Sequence, residues 1–276
     1  MTRWTPPLPP DLPDDAHKGV AGRVLCGCGS AWMSGAAILS ARAAQRAGAG
    51  LVAVVCSDDV LRHVLPVAVP EAVLEDPDHL SFEGGRWHAG LVGPGLGLSS
   101  AAQRLFERMV SELDSPLVID GDALTLLARR TGKLARLAAT VLTPHPGEAG
   151  RLLGREVPDD DEGRAAAARE ISDKTGGICC LKGRRTVVAE GDRVYVNDTG
   201  NAGMATAGSG DVLAGMCAAW LALVTTLGRD DWTPFDAAAS AVRVHGRAGD
   251  LAAERLGARA VIASDMVDAL PRAQRP

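Results

Sequence analysis

The residues with the strongest chemical signature run from Asn201 to Asp211, Asn-Ala-Gly-Met-Ala-Thr-Ala-Gly-Ser-Gly-Asp, directly ahead of an apolar, alanine-rich stretch, Val212 to Val224, that reads as a helix. Small side chains let a backbone come close to a ligand. The amides at such a helix start, from Gly208 to Asp211, have no intrahelical partner and converge on an anion, and the positive end of the helix dipole reinforces them. Asp211 then has two readings. It is an N-cap, a frequent post for aspartate, or it is a general base that takes a proton from a hydroxyl. In the second case the amides of Gly208, Ser209 and Gly210 hold negative charge on a phosphoryl group in transfer.

Further segments carry usable chemistry. Lys182-Gly183-Arg184-Arg185-Thr186 joins a cation, a flexible turn and a hydroxyl behind the apolar run ending at Leu181; it is either a phosphate or nucleotide contact or an ordinary basic loop. In Thr143-Pro144-His145-Pro146-Gly147-Glu148 two prolines restrict the backbone around a histidine, which suits a side chain presented accurately to a substrate. Gly93-Pro94-Gly95-Leu96-Gly97 and Gly27-Cys28-Gly29-Ser30 are glycine-rich loops able to admit a phosphate, yet neither completes a dinucleotide fingerprint and no P-loop Lys-Ser or Lys-Thr pair occurs. Asp120 and Asp122 either stand near a metal-bound phosphate or, for Asp122, cap a helix beginning near Ala123.

The elements that must position these residues follow from the hydrophobic pattern. Short β-branched runs alternate with Ala/Leu-rich stretches, the mark of parallel strands joined by crossover helices. Strands are expected at Arg23 to Cys26, Leu51 to Cys56, Gly90 to Val92, Leu117 to Ile119, Val141 to Thr143 and Ile178 to Leu181, with a helix over Gly35 to Ala47. Thr186 to Ala189 and Arg193 to Asn197 flank Glu190-Gly191-Asp192 and read as an antiparallel hairpin. The expected fold is therefore α/β, a mostly parallel sheet ending in a hairpin, with ligands where the carboxyl ends of the strands meet the loops. Pro158 to Arg169 reads as a solvated acidic loop leading into a helix.

Composition narrows the classes. The 276 residues are 46% hydrophobic, enough for one large core. Residues 1–18, rich in proline and acids, read as an extended N-terminal arm on the surface or on a neighbouring subunit, and 19–276 as a single domain. A net charge of −5 argues against a nucleic-acid surface. No membrane span or signal peptide is read, which points to the cytoplasm. The six cysteines lack the spacing of a zinc site and are expected to be buried free thiols.

Taken in order, these segments resemble the ADP/ATP-dependent (S)-NAD(P)H-hydrate dehydratases, a ribokinase-like family. The likeness runs through His17-Lys18-Gly19, Gly22 to Leu25, Ser34 to Ala37, Gly48 to Val52, Gly93 to Gly97, Thr143 to Glu148, Leu181 to Gly183 with Thr186, Asn201 to Gly215, and His245-Gly246 with Ala248 to Asp250. The resemblance implies a three-layer α/β/α fold and repair of hydrated NADH and NADPH. By it, Ala36, Gly95, His145 and Asp211 line the hydrated dinucleotide, while Lys182, Gly183, Arg184, Arg185 and Thr186 with Gly210 hold the AMP portion of the phosphoryl donor. It implies Mg²⁺ on the donor's phosphates, with no metal ligands assigned, ADP in preference to ATP, a homotetramer or at least a dimer, and a separate epimerase chain. Two alternatives stay open: a vitamin-precursor or sugar kinase of the same fold, and a nucleotide-binding protein without turnover. Three positions depart from the family pattern: Cys28 within the first loop, Ala207 ahead of Gly208, and Gly121 between the two aspartates.

Overall fold

The computed structural model describes residues 4–56, 58–130, 134, 136 and 138–275. Its centre is a nine-stranded sheet: β1 (Arg23–Gly27), β2 (Leu51–Val55), β3 (Val73–Leu74), β4 (Ala89–Val92), β5 (Leu117–Ile119), β6 (Thr140–Leu142), β7 (Ile178–Leu181), β8 (Val187–Glu190) and β9 (Arg193–Val196). The order across the sheet is β3-β2-β1-β4-β5-β6-β7-β8-β9. Strands β3 through β7 pair in parallel, and β8 and β9 continue the sheet as an antiparallel hairpin.

Both sheet faces are buried, and alternation along each strand decides which core a side chain joins. Val24 and Cys26 of β1, Val118 of β5 and Cys180 of β7 enter one core, whereas Leu25, Ile119, Cys179 and Leu181 enter the other. The first core is covered by α1 (Ser34–Arg46), α2 (Val60–Ala68), α7 (Ser209–Leu227), α8 (Pro234–Leu256) and α9 (Ala263–Ala273). The second is covered by α3 (Ser100–Glu112), α4 (Asp122–Arg129), α5 (Pro146–Leu153) and α6 (Asp161–Thr175). The architecture is three-layer α/β/α. All six cysteines are buried and free.

Alanine and glycine set the closeness of the layers. A Cβ on Gly215 of α7 would strike the Ser40 carbonyl of α1, so the two helices touch backbone to backbone. Trp220 of α7, fully buried, donates its indole N–H to the Ala47 carbonyl at 3.0 Å and fixes the other end of that contact. Among the described residues α7 has the length and apolarity of a bilayer span, which the sequence reading passed over; 67% of its most apolar window is buried within the fold.

The differences from expectation are local. β3, a two-residue edge strand, carries no readable periodicity. The hairpin turns over Gly191-Asp192, with Glu190 opposite Arg193, one residue along from the expected limits. α7 begins at Ser209 rather than Val212. Residues 4–22 form no helix or strand. They lie against their own chain, where Ser240 Oγ donates to the Pro7 carbonyl at 2.5 Å and Trp4 meets Tyr195 edge-on.

Candidate active site at the strand switch point

Strand order reverses between β1 and β4, so their following loops diverge to opposite faces and leave a crevice at the carboxyl end of the sheet. The loops are tied across it: Gly93 N donates to Gly27 O at 3.0 Å and Gly29 N to Pro94 O at 2.8 Å. Gly95 has φ 59°, and a Cβ there would lie 2.7 Å from the Met33 carbonyl and 2.8 Å from the Ala36 side chain. Gly95 and Ala36, far apart in sequence, thus form one wall. Asp122 is the first residue of α4 and does not cap it; its Oδ2 accepts the Gly97 amide at 2.8 Å and holds the glycine loop.

Three strand ends contribute a charged cluster. Lys182, leaving β7, donates to Asp120 Oδ1 at 2.6 Å and stands 3.9 Å from Glu148 Oε2. Asp120, just past β5, is only 2% exposed. Burial works against the Lys182 charge, but Asp120 and Glu148 outweigh it and hold its pKa above the ordinary value. Arg164 of α6 is buried too, donating to the carbonyls of Leu181 and Lys182 at 3.2 and 3.1 Å. The solvated character expected of Pro158 to Arg169 therefore fails at Arg164. No local pattern marks it, because its acceptors are backbone groups of another element.

His145 has a structural duty that the sequence did not announce. It is the N-cap of α5, its Nδ1 accepting the amides of Gly147 and Glu148 at 3.0 and 3.4 Å while Glu148 Oε2 accepts the His145 amide at 2.8 Å. Burial, then Lys182 and Arg151, lower its pKa. A neutral ring with Nδ1 accepting carries its proton on Nε2, on a side chain that is 51% exposed. Beside it Thr143 Oγ1 is buried without a hydrogen-bond partner.

At the start of α7 the capping position belongs to Gly208, with φ 87° and no side-chain cap. This removes the capping alternative for Asp211, which sits in the first turn with its carboxylate toward Gly208. Gly210 has no side chain where Lys182 passes: a Cβ would be 3.0 Å from Nζ. Burial, followed by repulsion from Asp120, raises the Asp211 pKa to about 7, with Lys182 offsetting part of the rise. Behind the turn, buried His245 of α8 donates Nε2–H to the Ser209 carbonyl at 2.9 Å, and burial pushes its pKa down to about 4. Ser40 Oγ donates to the Asp211 carbonyl at 3.2 Å, tying the same turn to α1.

The site thus brings Asp211, Ser209, Gly210 and Lys182 together, with Asp120, Glu148 and His145 across the adjoining strand ends. It does not draw in the whole basic loop. Gly183, Arg184 and Arg185 are exposed, Arg185 pairs with Asp161, and Thr186 Oγ1 donates to the Gly183 carbonyl at 3.2 Å. Among the described residues no three metal-ligating side chains form a ready cage. Mg²⁺ carried by nucleotide phosphates retains water and needs one or two carboxylates, a demand that Asp120 and Glu148 fit.

The sequence profile of NAD(P)H-hydrate dehydratase matches residues 24–272. The chain belongs to the NAD(P)H-hydrate dehydratase family. It is 40% identical to the ADP-dependent (S)-NAD(P)H-hydrate dehydratase of Neisseria meningitidis over 249 residues, 88% of this chain and 81% of that protein. It is 39% identical over 269 residues to the bifunctional NAD(P)H-hydrate repair enzyme of Moorella thermoacetica, covering 92% of this chain but only 49% of that longer protein. The crystal structure of the ADP/ATP-dependent NAD(P)H-hydrate dehydratase of Bacillus subtilis, co-crystallised with ATP and Mg²⁺, superposes with a TM-score of 0.82 at 31% identity, covering 96% and 93% of the two chains. The fold is therefore ribokinase-like.

Within this family the three departures are accommodated. The Cys28 side chain is wholly buried and packs in the first core. Ala207 is not left-handed; the left-handed position is Gly208. Gly121 has φ 52°, a conformation that glycine alone adopts without strain.

Proposed function

We propose that this protein dehydrates the S-epimer of hydrated NADH and NADPH at the expense of ADP or ATP, releasing phosphate and AMP or ADP. The observation that carries the proposal is Asp211: a carboxylate with a pKa raised to about 7 in the first turn of α7, at the amide end of the helix and beside the Lys182 ammonium. The family membership and the identity to dehydratases support it.

In this mechanism Asp211 accepts the proton of the ring hydroxyl as its oxygen attacks the donor's terminal phosphorus, and the bond to the nucleotide breaks. The amides of Gly208, Ser209 and Gly210 and the Lys182 ammonium meet the charge on the transferring group. The ring nitrogen's lone pair then expels phosphate, and loss of a proton from the adjacent ring carbon restores the double bond of the reduced cofactor. Ala36, Gly95 and the half-exposed ring of His145 line the nicotinamide end. Lys182 to Thr186 and Gly210 hold the donor's AMP portion. Mg²⁺, when bound, would neutralise charge on the donor phosphates, and Asp120 and Glu148 would be the carboxylates to hold it. A homo-oligomer completes the proposal.

The test is incubation of the purified protein with hydrated NADH, Mg²⁺ and either ADP or ATP, following reduced-nicotinamide absorbance and nucleotide products. Donor-dependent recovery of absorbance with one phosphate per turnover supports the proposal and names the donor. No recovery with either donor overturns it.

A further inference from the structure

The stretch His245-Gly246 with Ala248 to Asp250 belongs to the likeness with the family, yet the mechanism above uses none of it. On α8, His245, Gly246, Gly249 and Asp250 fall on one face, at i, i+1, i+4 and i+5. That face carries the chain leading into α7. A Cβ on Gly246 would strike Thr199 and one on Gly249 would strike Met204, so the loop lies directly on the helix. Asp250 accepts the Gly200 amide and the Asn201 side-chain amide, both at 2.9 Å. His245 takes the far end of the same loop, with Nε2 at 2.9 Å from the Ser209 carbonyl; a carbonyl only accepts, so the ring proton is on Nε2. Ser209 Oγ is farther from the same nitrogen, at 3.4 Å.

The bonded carbonyl shares its peptide with the Gly210 N–H. A peptide unit is planar, and its C=O and N–H dipoles are aligned. In the first turn of α7 the carbonyl meets His245, while the Gly210 N–H points the other way, out of the helix start. Of the amides in this turn, Ser209 N lies 3.4 Å from the Thr206 carbonyl and Val212 N 3.1 Å from the Gly208 carbonyl, whereas those of Gly210 and Asp211 have no acceptor among the described residues. A donor on a carbonyl polarises its peptide and strengthens the N–H on the other side. His245 is buried, so water screens the contact little, and burial keeps the ring neutral.

We infer that His245 is a positioning residue for phosphoryl transfer: it holds and polarises the Ser209–Gly210 peptide, so that the Gly210 amide meets the growing negative charge as a stronger donor than an ordinary helix amide. The part in catalysis rests on the dehydratase reading. Asp250 fixes the loop and His245 the peptide at its end.

The chain has two Ser–Gly pairs, Ser34–Gly35 and Ser209–Gly210, so protein isotope-labelled in the serine carbonyl and the glycine nitrogen shows two peptide links by NMR, the first an internal reference. His245→Leu and His245→Asn remove the donor, the asparagine amide being one methylene too short, while His245→Gln places an amide nitrogen where Nε2 stood. In the leucine and asparagine variants the Gly210 amide proton and the Ser209 carbonyl should move upfield, and kcat for hydrated NADH should fall about tenfold. KM for hydrated NADH and the calorimetric Kd for ADP should stay within about twofold of wild type, because the strengthened donor acts on charge that develops in the transition state. His245→Gln should keep the wild-type resonances and most of kcat. Where one of the two donor-removing variants fails to fold, the other decides. A wild-type kcat without the donor, an equal fall in His245→Gln, a loss carried by KM or Kd at unchanged kcat, or a Gly210 resonance that stays in place overturns the inference. Absence of turnover of hydrated NADH by the wild type counts against the dehydratase reading alone, and the Ser209–Gly210 resonances then decide for or against His245.

Discussion

A carboxylate that is to take a proton near neutral pH must be held where its charge is disfavoured. Burial and Asp120 place Asp211 in that position, and Lys182 relieves only part of the strain on its charge. Because the base works deprotonated, kcat/KM should fall on the acid side of about pH 7, and a pH–rate profile will show that limb. Asp211→Asn removes the base and spares the amides; turnover should drop by about a thousandfold or more. Nucleotide affinity, measured by calorimetry, should change little. The Lys182 and Asp120 pair makes a separate case. Lys182→Met strands a buried carboxylate and should cost about 3–5 kcal/mol in denaturant unfolding. Adding Asp120→Asn should recover most of that stability without recovering activity.

At the scale of elements, the site depends on how closely α7 approaches α1. The first turn of α7 carries Asp211, the first turn of α1 carries Ala36, and their separation is set where Gly215 meets the Ser40 backbone. Gly215→Ala forces a methyl group into the Ser40 carbonyl. The expected loss is about 2–3 kcal/mol of stability, measured by urea unfolding, together with reduced activity at unchanged Asp211. An unchanged midpoint and rate would show that this contact does not position the site. The strand ends have a similar logic: β5, β6 and β7 are neighbours in the sheet, so Asp120, His145 with Glu148, and Lys182 meet although α4 lies between the first two in sequence and α6 before the last.

The molecule as a whole carries two buried groups that tilt its stability in opposite directions with pH. His245 has a folded pKa lowered to about 4; its contribution is present above the ordinary value of 6.5 and is lost as pH falls toward 4. Asp211 has a folded pKa raised from 3.8 to about 7; its contribution is present below 3.8 and is lost as pH rises through 7. Each is worth on the order of 3 kcal/mol, so across pH 4 to 7 they largely offset one another. Thermal unfolding over that window should therefore separate the variants by slope. Stability should rise with pH in Asp211→Asn, where the histidine contribution is left alone, and fall with pH in His245→Gln. Parallel curves for the two variants would refute the opposition.

The sequence by itself determined the element types and the chemistry available. Alternating β-branched and alanine-rich runs specify parallel strands with crossover helices, and Gly208 to Asp211 ahead of an apolar run specifies a helix start with an acid in its first turn, because those signals are carried by neighbours within a few residues. The segments holding Lys182, His145 and Gly95 also stood out as candidates by residue type and spacing, and Ala36 by resemblance. Only the tertiary structure decided that Asp211 is no cap, that His145 is one, that Arg164 is buried under β7, and that Asp120 neutralises Lys182 while raising Asp211. The reason is physical: burial, hydrogen-bond partners and pKa depend on groups brought together across the sheet, and strand order, which brings them together, leaves no trace in local periodicity.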